Sequence, residues 1–479
     1  MKKLIIFLLF AVNLNAQLST VKILDSVSFA PIPFATVYFS NSSGIISDEN
    51  GDFELIKNEL ADVDSLFVSS LGYKKVSVSL NQFNDSIVFL SPKPIELDNV
   101  ILTNRKLSSK EIIEKVKAAI TINYQTDFSE NKIFYRKEYN SIIENFEINK
   151  FKSSIDNLDD LLIDSLLLNL PSENKSVTEV LSNYYGNLEE DNQKINLIKS
   201  RETYKKENEI LESLNSKLEE SLKKSLKSNS YFKIRSGLLP FSGDLEFDGL
   251  WDIDSTNQAA LKKANDDEIK RKENFANSIK GRVSNIYSNL FYNDATDLDF
   301  ILKSNRYEFS NPELNYLGNQ LVYVMTFRPK GSKDYKGTLH INSDDFAIVR
   351  IDFKNVKSLF KLKLLGFSSD NYLVEGRMVF SKLDKKKYFL TYFQVSSGSK
   401  VGIDRPFKII EKNKIVKGRT KQNQISFNLD LMVNSLNKVE LRVFHSKPID
   451  FNMFKNLKEE NKVLPEYVDE FKTNFWEEF

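Results

Sequence analysis

Apolar and polar residues alternate in three rhythms along this chain, and each predicts a different kind of element. Near the start, Ala35-Thr36-Val37-Tyr38-Phe39 is β-branched and aromatic, Phe53-Glu54-Leu55 alternates, and Leu66-Phe67-Val68 is a third apolar run. These read as short strands. Between them, Ser47-Asp48-Glu49-Asn50-Gly51-Asp52 is a polar turn, and Asn50-Gly51 supplies the positive φ of a tight hairpin.

The second rhythm is helical. Ser108-Ser109-Lys110-Glu111 reads as a capping box, and Ile112, Ile113, Val116, Ala119 and Ile120 then form one apolar stripe. Phe134, Tyr135, Tyr139 and Phe146 break that pattern with aromatic alternation, so strands are expected over 132–148. From about Ile155 to Leu290 the chain is expected to be mostly helical. Leu211, Leu214, Leu218, Leu222 and Leu226 recur at spacings of three and four, too briefly for a coiled coil, so an amphipathic helix folded on the chain's own body is expected. Gly237, Pro240, Gly243 and Gly249 interrupt the helices, and Ile279, Val283, Ile286 and Leu290 mark a second helical face. The Lys262-Lys263 and Lys270-Arg271-Lys272 clusters are interleaved with Asp266, Asp267, Glu268 and Glu273, as on an ordinary solvated face.

From about Asp297 the rhythm turns to β. Gly337 to Ile341 alternates, Asn342-Ser343-Asp344-Asp345 turns, and Phe346 to Phe353 returns. Similar runs at 372–380, 388–395, 425–433 and 439–444 predict an antiparallel meander. Lys or Asp residues fall in both alternations of many of these strands. That argues against a transmembrane barrel despite the terminal aromatic Phe479.

Composition narrows the function classes. With 67 basic and 66 acidic residues, nothing draws the whole chain to nucleic acid. The 36 phenylalanines and 19 tyrosines are ample for packed cores. Met1-Lys2-Lys3 followed by apolar Leu4 to Val12 and the small residue Ala16 reads as a signal peptide cleaved before Gln17. The chain is therefore expected to be exported, to the periplasm or to the outer membrane or cell surface, with no transmembrane helix after cleavage. Absence of cysteine excludes disulfides, thiolate zinc sites, cysteine nucleophiles and an N-terminal lipid on Cys.

Asp25, Pro31-Ile32-Pro33-Phe34-Ala35-Thr36-Val37, Gly44, Ser47 to Phe53 and Leu71-Gly72-Tyr73 resemble the carboxypeptidase regulatory-like domain. The resemblance covers about residues 17–92. It implies a seven-stranded β-sandwich of the prealbumin (transthyretin) type, common in envelope proteins of the Bacteroidota, and it brings no peptidase chemistry. Val21 stands where the family usually has Gly. Leu97 to Leu102 resembles the segment that joins this module to the next domain in related envelope proteins, including some TonB-dependent receptors; no plug and barrel follow here. The hairpin around Asn342 is similar to the repeating unit of periplasmic lipoprotein-carrier sheets, which curve round acyl chains. The expected fold class is multidomain, β plus α+β. Its divisions are a signal peptide at 1–16, the sandwich at 17–92, a linker at 93–107, a helix-rich region with some strands at 108–296, and an antiparallel sheet at 297–479.

Candidate chemistry is sparse. His340 and His445 are the only histidines, and neither begins a zinc-binding run. His340 reads as a strand residue. No phosphate loop, G-x-S-x-G or dinucleotide fingerprint occurs. Asp48, Asn50 and Asp52 bunch oxygens, but Gly51 falls at the fourth position where an EF-hand loop needs the sixth. No catalytic, cofactor-binding or metal-ligating residue is assigned, and no cofactor is expected. Three readings stand: a non-catalytic envelope protein whose N-terminal module is a structural or interaction domain for other envelope proteins; a periplasmic carrier of an apolar, lipid-like ligand on the C-terminal sheet; and a hydrolase using carboxylates.

Overall fold

The computed structural model describes residues 18–91 and 107–468 apart from short stretches, the longest being 57–64, 80–85 and 238–257. The expected signal peptide, the connector at 97–102 and the aromatic end from Phe471 to Phe479 lie outside the described residues.

The N-terminal module has strands β1 (Leu18–Asp25), β2 (Thr36–Phe39), β3 (Gly44–Ile46), β4 (Asp52–Ile56), β5 (Ser65–Ser69), β6 (Val76–Ser79) and β7 (Ile87–Leu90). They form two sheets, in the orders β4-β1-β7 and β3-β2-β5-β6. Val21, Ile23, Val37, Phe53, Leu66, Val68 and Leu90 are fully buried. Val21, the residue that departs from the family pattern, is thus a core residue. The motif residues serve the turns. Ser47 accepts a hydrogen bond from Ala35 N (2.8 Å) and donates to Ile32 O (3.3 Å). Gly51 has φ +76°, and a Cβ there would stand 2.7 Å from the Ile23 carbonyl. Asp52 is ion-paired with Lys22 at 2.8 Å, so its carboxylate is engaged in the hairpin.

The second unit is a long sheet with helices, antiparallel except for one parallel pair at its edge. Helix α1 (Ser109–Asn123) opens on the expected capping box: Ser108 Oγ accepts from Glu111 N, and Glu111 Oε2 accepts from Ser108 N at 2.9 Å. Ile112, Ile113 and Val116 form its buried stripe. There follow β8 (Ser129–Ser153), α2 (Asp160–Asn169), β9 (Glu173–Gly186), β10 (Gln193–Thr203), α3 (Glu209–Ser225), β11 (Ser230–Ser236) and α4 (Gln258–Ser288). The expectation of a mostly helical 155–290 is corrected here, because β9, β10 and β11 interrupt it and join the large sheet. Val180, Ser182 and Tyr184 of β9, with their partners Ser200, Leu197 and Ile195 on the neighbour, are buried at strand spacing. Asn183, Asn196 and Lys199 interleave with them and mask that period.

The remaining strands are β12 (Tyr307–Phe309), β13 (Glu313–Leu317), β14 (Gln320–Pro329), β15 (Tyr335–Asn342), β16 (Ile348–Asn355), β17 (Phe360–Leu364), β18 (Phe367–Leu383), β19 (Lys387–Asn413), β20 (Lys421–Pro448) and β21 (Glu466–Val468). A short helix, α5 (Phe451–Asn456), follows β20. The sheet order is β12-β14-β15-β16-β18-β19-β20-β8-β9-β10-β21, with β11 beside β19, β13 beside β14 and β17 beside β18. The sheet therefore begins at Ser129 and not near Asp297. The hairpin expected around Asn342 is present as β15–β16, and Asn342 Oδ1 accepts from Asp344 N (2.8 Å) to close its turn.

The core lies on one face of this sheet. Leu339, Ile351, Met378, Phe393, Leu441, Tyr135 and Val180 are partners in register across seven strands, and all are buried. The buried face of α4, with Ala276, Ile279, Val283 and Ile286, supplies the second layer, and Tyr287 stacks on Tyr184 of β9 at 5.3 Å. At the end of α1, Tyr124 is enclosed by Phe291, Tyr292, Phe380 and Tyr388 and donates to Ile348 O at 2.8 Å.

Candidate functional site

The two faces of the large sheet differ because strand side chains alternate. One residue along from the core row, the register aligns Asp352, Arg377, Gln394, Glu440, Arg136, Glu179 and Arg201 on the opposite face. Cations and anions interleave along it. Asp352 accepts from Arg350 (2.7 Å) and Arg377 (2.6 Å), and Arg201 reaches Glu179 at 2.7 Å. Burial raises the Asp352 pKa, but the two arginines outweigh it and leave the carboxyl below its usual range. Beside its outer end, a groove of about 630 Å³ is lined by Lys336, Thr338, Asp352, Lys354, Glu375 and Arg377 among others. Four of its charged groups are already paired with one another: Lys354 with Glu375 and Arg377 with Asp352. His340 lies beside this row, opposite Arg350, and burial, then Arg350, lowers its pKa. It lies within β15, as the sequence predicts. His445 is exposed near the end of β20, away from any such cluster. Among the described residues, no group of three or more His, Asp or Glu is placed to hold a metal ion.

The core face behaves differently along its length. Strands β19 and β20 pair without interruption from Tyr392↔Arg442 to Ile410↔Gln424, so odd-numbered residues of both remain on the core face throughout. Beyond Phe393–Leu441 the helical cover gives way to a cavity of about 370 Å³. Phe353, Val395 and Val439 form its sheet wall, Ile286 and Leu298 line it as well, and Lys137, Arg282, Asn285, Asn437 and Ser397 add polar groups. Two residues further along, Ser399 pairs with Ser435, and Tyr139 Oη lies 3.2 Å from Ser435 Oγ.

Past this polar belt the face becomes apolar again. Leu362, Val401, Val433 and Ile143 share one row with Ser369, and Leu364, Phe367, Ile403, Leu431 and Phe146 form the next. Leu429 and Ile148 follow in one row with the buried Arg405, whose guanidinium lies 5.1 Å from the Phe367 ring centre and donates to Ser236, and Phe407 stacks on Phe427 at 5.7 Å. None of the apolar side chains is buried; Val401 is 50% exposed and Leu364 58%. Helix α2 carries further apolar surface, since it has no buried residue and its Leu161 and Leu168 stand exposed. An apolar face of this extent, continuous with a cavity, is the arrangement that a soluble protein keeps for something it binds.

The register brings together residues that the sequence reading left unassigned. Lys137 and Arg282 were not singled out by spacing, although one signal existed. Tyr135, Lys137 and Tyr139 share one alternation, and a lysine there is out of place on a core-facing set.

Residues 22–102 match the family model of the CarboxypepD_reg-like domain, so the N-terminal module is a carboxypeptidase regulatory-like domain. That match covers the module and not the sheet-bearing unit. Among solved structures, a LolA superfamily protein from Nitrosomonas europaea aligns over 73% of this chain and 97% of its own, at 9% identity and a TM-score of 0.16. No curated protein matches the chain. No helix among the described residues is long and apolar enough to cross a membrane, which leaves strand-built membrane proteins unaddressed.

Proposed function

We propose that this chain is an exported, non-catalytic binding protein of the cell envelope that carries an apolar, lipid-like ligand on the core face of its large sheet. The two N-terminal sheets pack as the family's seven-stranded sandwich and serve as a structural or interaction module. The observation that carries the reading is the half-exposed apolar surface from Val401 to Phe427, interrupted on β19 by Arg405, which runs in unbroken register from the cavity beneath α4. Burying such a face stabilises a complex by roughly 25 cal/mol for each Å² of apolar surface removed from water. A cavity suits a chain-like ligand better than a flat protein surface does, which favours the carrier reading over docking of a protein partner.

The test is native purification of the full chain, solvent extraction and mass spectrometry of the extract, alongside titration with the apolar fluorophore N-phenyl-1-naphthylamine. Acyl species in the extract, and fluorophore binding weakened at least tenfold by Val401→Glu or Leu431→Glu, are the expected results. A clean extract with no fluorophore binding would refute the carrier reading. A stoichiometric protein partner in its place would return the function to the interaction module.

A further inference from the structure

Lys137 and Arg282 come from different elements, β8 and α4, and line the same cavity. Among the described residues neither has a carboxylate within 4.0 Å, whereas Arg136, one residue away, reaches Glu138 (2.6 Å) and Glu179 (3.5 Å) on the opposite face. Burial, and then the nearby Arg282 charge, hold the Lys137 ammonium below its ordinary pKa. Two cations brought together in a partly dry cavity with no carboxylate in contact oppose folding unless something anionic joins them. Asp297 also lines the cavity, and its charge is felt at Tyr335, whose hydroxyl is pushed up to about 12 by burial first and Asp297 second.

The order of groups along the face gives the chemistry of the occupant. Lys137 shares the row of Val395 and Val439; Ser397–Asn437 and Ser399–Ser435 come next; Val401–Val433 begins the apolar stretch. At about 3.3 Å per residue, the six positions from Val395 to Val401 span roughly 20 Å. Cations, then hydroxyls and an amide, then aliphatic side chains complement an anionic head, a polar spacer and an apolar chain.

Resting on the carrier reading above, we infer that Lys137 and Arg282 form an anion-binding end of the ligand site, and that the ligand is an anionic amphiphile whose phosphate or carboxylate enters the cavity under α4. The polar belt accommodates its spacer, and its chain lies along Val401 and Ile403 and their partners Val433 and Leu431.

Calorimetry on the full chain with oleoyl lysophosphatidic acid, monooleoylglycerol, oleate and inorganic phosphate tests this, because the first two probes differ only in the phosphate. Lysophosphatidic acid is expected to bind at least tenfold more tightly than monooleoylglycerol. Lys137→Met and Arg282→Gln should reduce that ratio below threefold without changing monooleoylglycerol affinity, and Lys137→Arg should preserve it. Oleate binding as tightly as lysophosphatidic acid assigns the site to a carboxylate and makes the polar belt dispensable. Equal affinity for the charged and neutral probes, or a preference that survives both charge-removing variants, would overturn the inference and leave the carrier reading standing. Phosphate binding abolished by Lys137→Met, with no lipid bound, would keep the anion site and refute the carrier reading. No binding of any probe refutes both.

Discussion

Tyr73 Oη donates a 2.8 Å hydrogen bond to Asp25 Oδ2, joining two motif residues 48 positions apart at one end of the N-terminal module. The other Asp25 oxygen accepts from Val27 N at 2.7 Å, so the carboxylate ties the turn after β1 to the connection between β5 and β6. Burial first, and this hydrogen bond second, push the Tyr73 hydroxyl up to about 12. An unfolded tyrosine titrates near pH 10. The stabilising share of this group is therefore complete below pH 10 and lost as pH rises from there to about 12. Tyr73→Phe should lower the module's stability by about 1.5–3 kcal/mol, the range for a hydrogen bond to a charged group, and flatten the alkaline limb of its unfolding profile. Urea melts at pH 8 to 12 would read both.

Glu179 and Arg201 form an ion pair whose side chains are only 3% and 6% exposed. Burial raises the Glu179 pKa, and the Arg201 and Arg136 charges oppose that rise only in part. Removing Arg201 leaves the buried Glu179 with only the longer Arg136 contact at 3.5 Å, so Arg201→Met should destabilise the large sheet by up to about 3–5 kcal/mol. The double change Glu179→Leu with Arg201→Met should recover most of that loss. A double-mutant cycle in urea measures it, and a double variant as unstable as Arg201→Met would refute the account.

Asp299 accepts from Tyr307 Oη at 2.9 Å and is ion-paired with Lys303 (3.1 Å) and Lys333. Burial raises its pKa, but the bonds from Lys333, Lys303 and Tyr307 prevail and lower it. Its share of stability is present above an unfolded value of about 3.9 and is lost as pH falls through the lower folded value. Asp299→Asn should cost about 1.5–3 kcal/mol at neutral pH, and the cost should shrink in acid. Chemical denaturation at pH 7 and pH 3 checks the sign.

Gly376 lies in register between Phe353 and Val395, and a Cβ there would meet Phe353 Cζ at 2.7 Å and Gln394 O at 2.5 Å. Gly376→Ala should cost about 1–3 kcal/mol as an overpacked site and push the Phe353 ring, which lines the cavity under α4. Weaker fluorophore binding with the fold intact, seen by circular dichroism, is the expected outcome.

Local chemistry, which the sequence carries in full, determined the N-terminal strands, the capping box at Ser108, the buried stripe Ile279–Leu290 and the hairpin around Asn342. Each depends on neighbours within a few residues, so each was legible without knowledge of the rest. Strands β9 and β10 were not, because their alternation is diluted by Lys, Asn and Glu that the ion-paired face accommodates. Pairing decided what those residues mean: Arg201 finds Glu179, 22 positions away, and Lys400 finds Glu144, 256 positions away. The site was decided later still. Lys137, Arg282 and Val401 acquire a common purpose only when β8, β19 and β20 align and α4 covers part of their shared face. Register sums small preferences over strands of 25 to 28 residues, and slipping one residue would turn the apolar set to the other side. Only the assembled sheet could settle that.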